Sequence, residues 1–300
     1  MTPARTGPAF VAEWRDRVEA ALDGFLAREL AGVAPAVADP IRYAVLSPGK
    51  RIRPLLMIAA YRAAGGASPR IADLACSVEL VHAYSLVHDD LPCMDDDVLR
   101  RGRPTVHVRF GVAPAILAGA ALMPLAVEAI LAAARPMGVD DARRRRLVET
   151  LTVASGANGM VGGQLLDLRA EGREVGREEL EAIHTGKTAR LIGASVSMGG
   201  IAAGADGERV AQLERFGLRL GLAFQAIDDI LDLRGETSEL GKESGRDAAL
   251  RKATYPGLFG LAEAERISRD LVRDAQAELA GLEAPGALRD LAGYIIDRRH

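Results

Sequence analysis

Residues 88 to 107 read HDDLPCMDDDVLRRGRPTVH, and they close an apolar run that begins at Ile71 and reaches Leu91. Five aspartates, Asp89, Asp90, Asp95, Asp96 and Asp97, are followed within a few residues by Arg100, Arg101 and Arg103. So many like charges on an ordered segment repel one another unless cations sit among them. Oxygen-only clusters suit a hard ion such as magnesium, which binds through a few carboxylates and keeps positions for phosphate oxygens. An acidic run in a polar tail reads as solvated surface, whereas one at the mouth of a buried helix calls for a compensating partner. The stretch therefore points to a metal and diphosphate site at the end of a core helix.

On both sides of this stretch the chain is helical in pattern. Apolar spacing predicts helices over Val11–Leu30, Arg70–Leu91, Ala113–Ala134, Ala142–Leu168, Glu178–Ala203, Glu208–Leu233, Tyr255–Ala280 and Gly286–Arg298, and alternating strand patterns are essentially absent. Hydrophobic residues make up 49% of the chain but aromatics only 4%, so alanine, leucine and valine must fill the core, as closely packed helices require. No Ser/Gly tract or proline-rich spacer divides the chain, so a single domain over residues 1–300 is expected, with residues 1–10 a flexible tail. The fold class expected is all-α, a bundle of long helices.

Composition also excludes functions. A net charge of −3 argues against a general nucleic-acid binder, which needs an accumulated basic surface. Two cysteines, Cys76 and Cys93, are too few for a disulfide framework or a zinc cage, so reduced thiols and a cytoplasmic location are expected. Met1 to Phe10 lacks the apolar core of a secretory signal. Val112–Val127 and Leu191–Ala205 fall short of the roughly 20 residues of a membrane span, and read as buried central helices.

A second carboxylate cluster ends another apolar helix. In Phe224-Gln-Ala-Ile-Asp-Asp-Ile-Leu-Asp232, the residues Gln225, Asp228, Asp229 and Asp232 stand at i, i+3, i+4 and i+7 and form one stripe. Asp89 and Asp95 lie about 120° apart on an ideal helix. They converge only if the helix deforms, which Pro92 permits by removing a backbone bond. Two such helix ends facing each other would clamp several magnesium ions about one diphosphate.

Four further segments carry charge or polarity. Ser47-Pro-Gly-Lys-Arg-Ile-Arg-Pro54 crowds Lys50, Arg51 and Arg53 at a helix start, where free N–H groups also favour anions. Arg234 to Pro256 is polar and glycine-punctuated and carries Lys242 and Lys252, which suits either a flap over a metal-bound diphosphate or an ordinary surface loop. Gln164 and Asp167 share one helical face in Gly162-Gly-Gln-Leu-Leu-Asp-Leu168. Thr185-Gly-Lys-Thr188 is not a nucleotide-binding P-loop, because the upstream glycine is missing and no strand precedes it. Lys187 then reads as a fixed cation or a snorkelling side chain.

With these motifs in order, the chain resembles the trans-type isoprenyl diphosphate synthases, most closely the bacterial farnesyl diphosphate synthases. The likeness runs from about Tyr43 to the C-terminus, through GKRIRP, HAYSLVHDDLPCMDDDVLRRGRPTVH, GMVGGQLLDL, HTGKTARL, LAFQAIDDILDL, LGKESGRDAALRKATYP and YIIDRR. It implies a helical bundle around a deep cavity, usually a homodimer, that uses magnesium, with manganese as a substitute. It further implies that Asp89, Asp95, Asp228 and Asp232 hold the metal ions. Arg100, Lys187, Gln225, Lys242 and Lys252 would grip the allylic diphosphate. Gly49, Lys50, Arg53, His82 and Arg101 would bind isopentenyl diphosphate, and Thr188 would face the allylic cation.

In such relatives an aromatic at the fifth position before the first aspartate, here Tyr84 beside Ser85, accompanies a fifteen-carbon product, as does the Pro92-Cys93 insertion. One helical turn rises about 5.4 Å, roughly an isoprene unit, so a bulky residue one turn deep stops elongation early. Two departures stand out: Pro48 where relatives read a second glycine, and Ala120 where they commonly carry an aspartate. The expected activity is condensation of isopentenyl diphosphate with dimethylallyl and geranyl diphosphates to farnesyl diphosphate. The alternatives are a geranyl or geranylgeranyl diphosphate synthase and a catalytically silent regulatory subunit. A terpene cyclase would not need GKRIRP and would usually show more aromatics to stabilise cations.

Overall fold

The structure is a computed structural model that describes residues 9–234 and 252–296. The expected tail over residues 1–8 and the Lys242 part of the flap lie outside the described residues, and Ala9 and Phe10 already belong to the first helix. Helices α1 (Ala9–Glu29), α2 (Pro35–Val45), α3 (Ile52–Ala63) and α4 (Ile71–Asp89) come first. A two-residue hairpin follows, β1 (Leu99–Arg100) with β2 (Arg103–Pro104), then α5 (Val106–Phe110), α6 (Val112–Ala134), α7 (Asp141–Ser155), α8 (Met160–Ala170) and α9 (Arg177–His184). After a π-helical turn (Thr185–Ala189) come α10 (Arg190–Ala203), α11 (Gly207–Arg234), α12 (Tyr255–Phe259), α13 (Leu261–Ala277) and α14 (Gly286–Ile296). The all-α architecture is the one expected.

Helix α4 packs against α6, α3, α2 and α1, while α10 lies between α3 and α11. Leu74, Val78, Leu80 and Val81 of α4 are fully buried with Leu55 to Ile58 of α3, Leu191 and Val196 of α10 and Phe216 of α11. Each of those four α4 side chains contributes about 2 kcal/mol on burial. Together they outweigh the ~3 kcal/mol by which two partly buried carboxylates a helical turn apart repel. Core packing thus holds the acidic end of α4 where solvation alone would disperse it.

Three expected helices are interrupted. The segment Ala142–Leu168 divides at Gly156 to Gly159, where Gly159 N–H donates to Gly156 O at 2.9 Å and two glycines within four residues weaken the helix. Restarting there lets α8 press on the π-helical turn: a Cβ on Gly163 would lie 2.1 Å from Lys187 N, so only glycine fits. The segment Glu178–Ala203 carries that π-helical turn in its middle, a single-turn widening of a kind often found at functional sites. The segment Tyr255–Ala280 breaks at Gly260, whose φ of 79° ends α12 and starts α13.

The short hairpin was not anticipated. Its turn residues Arg101 and Gly102 both have positive φ, 54° and 73°, the type I′ geometry that matches strand twist. Helix α6 spans 23 residues and ends at Ala134 as expected, but it departs from the expected buried central helix: its most apolar stretch is only 39% buried. By length and composition α6 is apolar enough to cross a membrane, yet one face packs on α4 and the other carries exposed Val112, Ile116, Leu117 and Leu131. Helix α10, by contrast, is buried along nearly its whole length, as expected.

Candidate active site

The chain reversal after α4 sorts the five aspartates. Helix α4 stops at Asp89 and does not merely bend at Pro92: the Asp95 N–H donates to the Asp89 carbonyl at 2.9 Å, and Asp96 adopts a φ of 50°. Asp89 and Asp95 thereby reach one cavity of about 280 Å³. Asp90 and Asp97 hold Arg100, whose Nε donates to Asp90 at 2.7 Å and whose Nη2 donates to Asp97 at 2.9 Å, and Asp97 lines the same cavity as well. Burial weakens the Arg100 charge, but Asp90 and Asp97 outweigh it and raise the guanidinium pKa.

The opposite wall is α11, and Gln225, Asp228, Asp229 and Asp232 all line the same cavity, as the stripe predicts. Asp229 has a different task from its neighbours. It accepts from Gln225 Nε2 at 2.9 Å and from the Tyr255 N–H at 3.0 Å, tying α11 to the start of α12. Gln225 Oε1 in turn accepts from Thr188 at 2.9 Å, so a hydrogen-bonded chain runs from the π-helical turn to α12.

Between the walls stand two lysines and one carboxylate. Lys187 Nζ donates to Asp167 Oδ2 at 2.5 Å, while Lys252 Nζ lies 2.9 Å from Asp95 and 3.5 Å from the same Asp167 oxygen. Burial opposes the Lys187 charge, yet Asp167, Asp89 and Asp95 outweigh it and raise its pKa. Asp167 is held below the carboxylate range because Lys187 and Lys252 overcome its burial. Asp89 behaves oppositely: burial first, then Asp95 and Asp90, push it up to about 6 against the pull of Lys187 and Arg100. Burial also lowers the imidazole pKa of His184, another lining residue, to about 4, so the ring is neutral near pH 7.

A second cavity of about 510 Å³ adjoins the first, and both are lined by Arg53, His82, Leu86, Arg100 and Asp228. Gly49, Lys50 and Arg101 complete its basic side, with Arg101 Nη1 donating to Pro48 O at 2.6 Å. His82 is driven far below its usual pKa by burial and then by Arg53 and Arg101, so it is neutral. Arg51 does not join Lys50 and Arg53 as an outward cation. At 3% exposure and a φ of 50°, its guanidinium binds Glu19 at 2.7 Å, Glu79 at 2.6 Å and the carbonyls of Val45 and Ser47 at 3.0 Å.

The chain-length pair separates. Ser85 lines the first cavity, while Tyr84 is not part of its lining and sets its ring 4.7 Å from that of His88, whose Nε2 lies 3.1 Å from Ile116 O on α6. Ala120 is on the exposed side of α6 and lines neither cavity. The sequence pattern assigns no task to Gln164, Asp167 or His184, and it places Asp229 in the acidic stripe without its tie to Tyr255. The pairing of Gln164 with Asp167 on one helical face was the available signal, and both side chains line the first cavity.

The donor set suits a hard cation. Asp89, Asp95, Asp228 and Asp232 offer oxygen only, and no three His, Cys, Asp or Glu side chains among the described residues converge as a ready metal cage. Carboxylate donors of this kind would leave coordination positions for diphosphate oxygens.

A helical bundle with two acidic segments on one cavity and a basic cavity beside it fits an enzyme that handles diphosphates, and the polyprenyl synthetase family profile matches residues 34–283. The chain belongs to that family. It is 48% identical over 267 residues to the farnesyl diphosphate synthase of Escherichia coli K12, covering 87% of this chain and 89% of that protein. It is 44% identical over 263 residues to a chloroplastic geranylgeranyl pyrophosphate synthase of Catharanthus roseus, covering 87% and 73%. Helicobacter pylori geranyltransferase, solved with magnesium and an isoprenyl diphosphate, superposes with a TM-score of 0.82 at 31% identity over 98% of both chains.

Proposed function

We propose that this protein is a farnesyl diphosphate synthase, joining isopentenyl diphosphate to dimethylallyl and then geranyl diphosphate. The observation that carries the reading is one cavity lined at once by Asp89, Asp95, Asp228 and Asp232 and opening to a second, basic cavity. In this reading the four aspartates hold magnesium, or manganese in its place, and the metal supplies charge neutralisation for a departing diphosphate. Lys187, Lys252 and Arg100 add cations on the leaving-group side. Lys50, Arg53 and Arg101 hold isopentenyl diphosphate within reach, so attack on the allylic carbon becomes effectively intramolecular. Thr188, oriented by Gln225, faces the reacting carbons, and the apolar body of the bundle keeps water from the cation. The released diphosphate takes the proton that completes the product.

The test is label transfer from isopentenyl diphosphate to dimethylallyl or geranyl diphosphate, with products separated by length. A fifteen-carbon product lost on chelation supports the reading, and no transfer to either acceptor defeats it. A twenty-carbon product is the second reading, favoured by Tyr84 turning to His88 and not lining the described cavity. The wild-type product length decides between the two, and Tyr84→Ala tests what sets it: if its ring stops elongation, products lengthen by at least one isoprene unit. An unchanged spectrum would show that another wall sets the limit.

Magnesium binding should depend on pH through Asp89. Its carboxyl, raised to about 6, takes a proton as pH falls through that value and then opposes the metal. At about pH 5 the magnesium midpoint, read from the ion's effect on thermal unfolding, is expected roughly tenfold higher than at about pH 7.5. A constant midpoint would contradict this. For the metal-free protein the sign reverses: the fold binds the extra proton, so stability contributed by Asp89 falls as pH rises from about 4 to about 6.

The remaining expectations belong to the same reading. The chain forms one domain, works in the cytoplasm with both thiols reduced, and pairs with a second copy through the exposed apolar face of α6, where Leu117 is 64% exposed. A dimer mass in sedimentation is the expected result, and a monomer at micromolar concentration would contradict the pairing.

A further inference from the structure

Helix α1 carries three arginines, and two are engaged within the chain. Arg17 lies over the Trp14 ring at 4.7 Å and near Glu13 at 3.7 Å. Arg28 lies over Phe25 at 5.9 Å and donates to Gly24 O at 3.1 Å. Arg15 is different: it is exposed, makes no hydrogen bond or ion pair among the described residues, and lines the second cavity. Its natural i+4 partner, Glu19, is taken, because that carboxylate receives Arg51 Nε at 2.7 Å and Nη2 at 3.1 Å. The same contact fastens α1 beside the segment that bears Gly49 and Lys50, so Arg15 is held at the cavity rim with its charge uncommitted.

We propose that Arg15 is a further diphosphate-binding residue of the second cavity, contributed by α1 and kept in place by the Glu19–Arg51 ion pair. The inference rests on the reading that this cavity takes isopentenyl diphosphate, and it adds a residue to which neither motif nor resemblance assigns a role. An arginine suits the position because its planar fork meets two phosphate oxygens at once. Being at the rim, it would act chiefly on capture, and salt would screen it.

The experiment is steady-state condensation with magnesium, geranyl diphosphate and varied isopentenyl diphosphate, for the full chain and for Arg15→Gln and Arg15→Lys. In Arg15→Gln the KM for isopentenyl diphosphate should rise about five- to tenfold, as expected for loss of one charge-assisted contact. The KM for geranyl diphosphate should not follow, and Arg15→Lys should recover part of the loss. Added potassium chloride should raise the wild-type KM more steeply than that of Arg15→Gln. An unchanged KM in Arg15→Gln, or an equal rise for both substrates, overturns the proposal. If the wild-type chain transfers no isopentenyl unit at all, the underlying reading fails and the proposal with it, so the two failures are distinguishable.

Discussion

Asp89→Ala and Asp228→Ala are each expected to lower condensation turnover by about 10³-fold or more, while far-UV circular dichroism stays that of the wild type. The two residues stand on opposite walls of one cavity, Asp89 at the C-terminal end of α4 and Asp228 on α11. In the proposed reading each wall holds an ion that it shares with the diphosphate. Losing one carboxylate therefore removes charge stabilisation at the bond that breaks, and the helices behind it keep their packing. Near-normal turnover in either variant would show that the two walls do not share a diphosphate.

The second large effect concerns stability. Arg51→Ala should destabilise the fold by about 3–5 kcal/mol, because it leaves Glu79 as a buried, unpaired carboxylate and frees Glu19. The Glu79 side chain is only 4% exposed and Arg51 supplies its short ion pair at 2.6 Å. Adding Glu79→Gln should return part of the loss, since the uncompensated charge is then gone. Urea unfolding of the single and double variants measures both. A loss below about 1 kcal/mol, the range of exposed ion pairs, would show that the network is no more than surface electrostatics.

Parts of this site were legible in the sequence because their geometry is local. Gln225, Asp228, Asp229 and Asp232 needed only the helical period, and all four line the cavity. The first cluster was legible in composition but not in its division of labour. That Asp89, Asp95 and Asp97 face the cavity while Asp90 and Asp97 hold Arg100 depends on the Asp95 to Asp89 backbone bond and on the hairpin at Arg101–Gly102. Arg51 was misleading for a similar reason: in a run of basic residues, its left-handed backbone and the acids of two other helices turn it inward.

Other features rest on long-range contact. The π-helical turn at Lys187 leaves no trace in residue spacing, and its need is visible only where Gly163 meets it. Helix α6 reads as core because apolar composition is the same for a helix buried in its own chain and for one with an apolar face turned outward. Asp167 holds two lysines that arrive from residues 187 and 252, a meeting no local pattern encodes.

The central claim is that the α4 and α11 carboxylates clamp one diphosphate through shared metal ions. It is tested most directly by a diffraction structure with manganese and a non-ionising thio analogue of geranyl diphosphate, with the metals located by anomalous scattering. The account predicts metal peaks against Asp89 and Asp95 on one side and Asp228 on the other, with the diphosphate between them. Metal confined to one wall, or a diphosphate bound away from both, would contradict it.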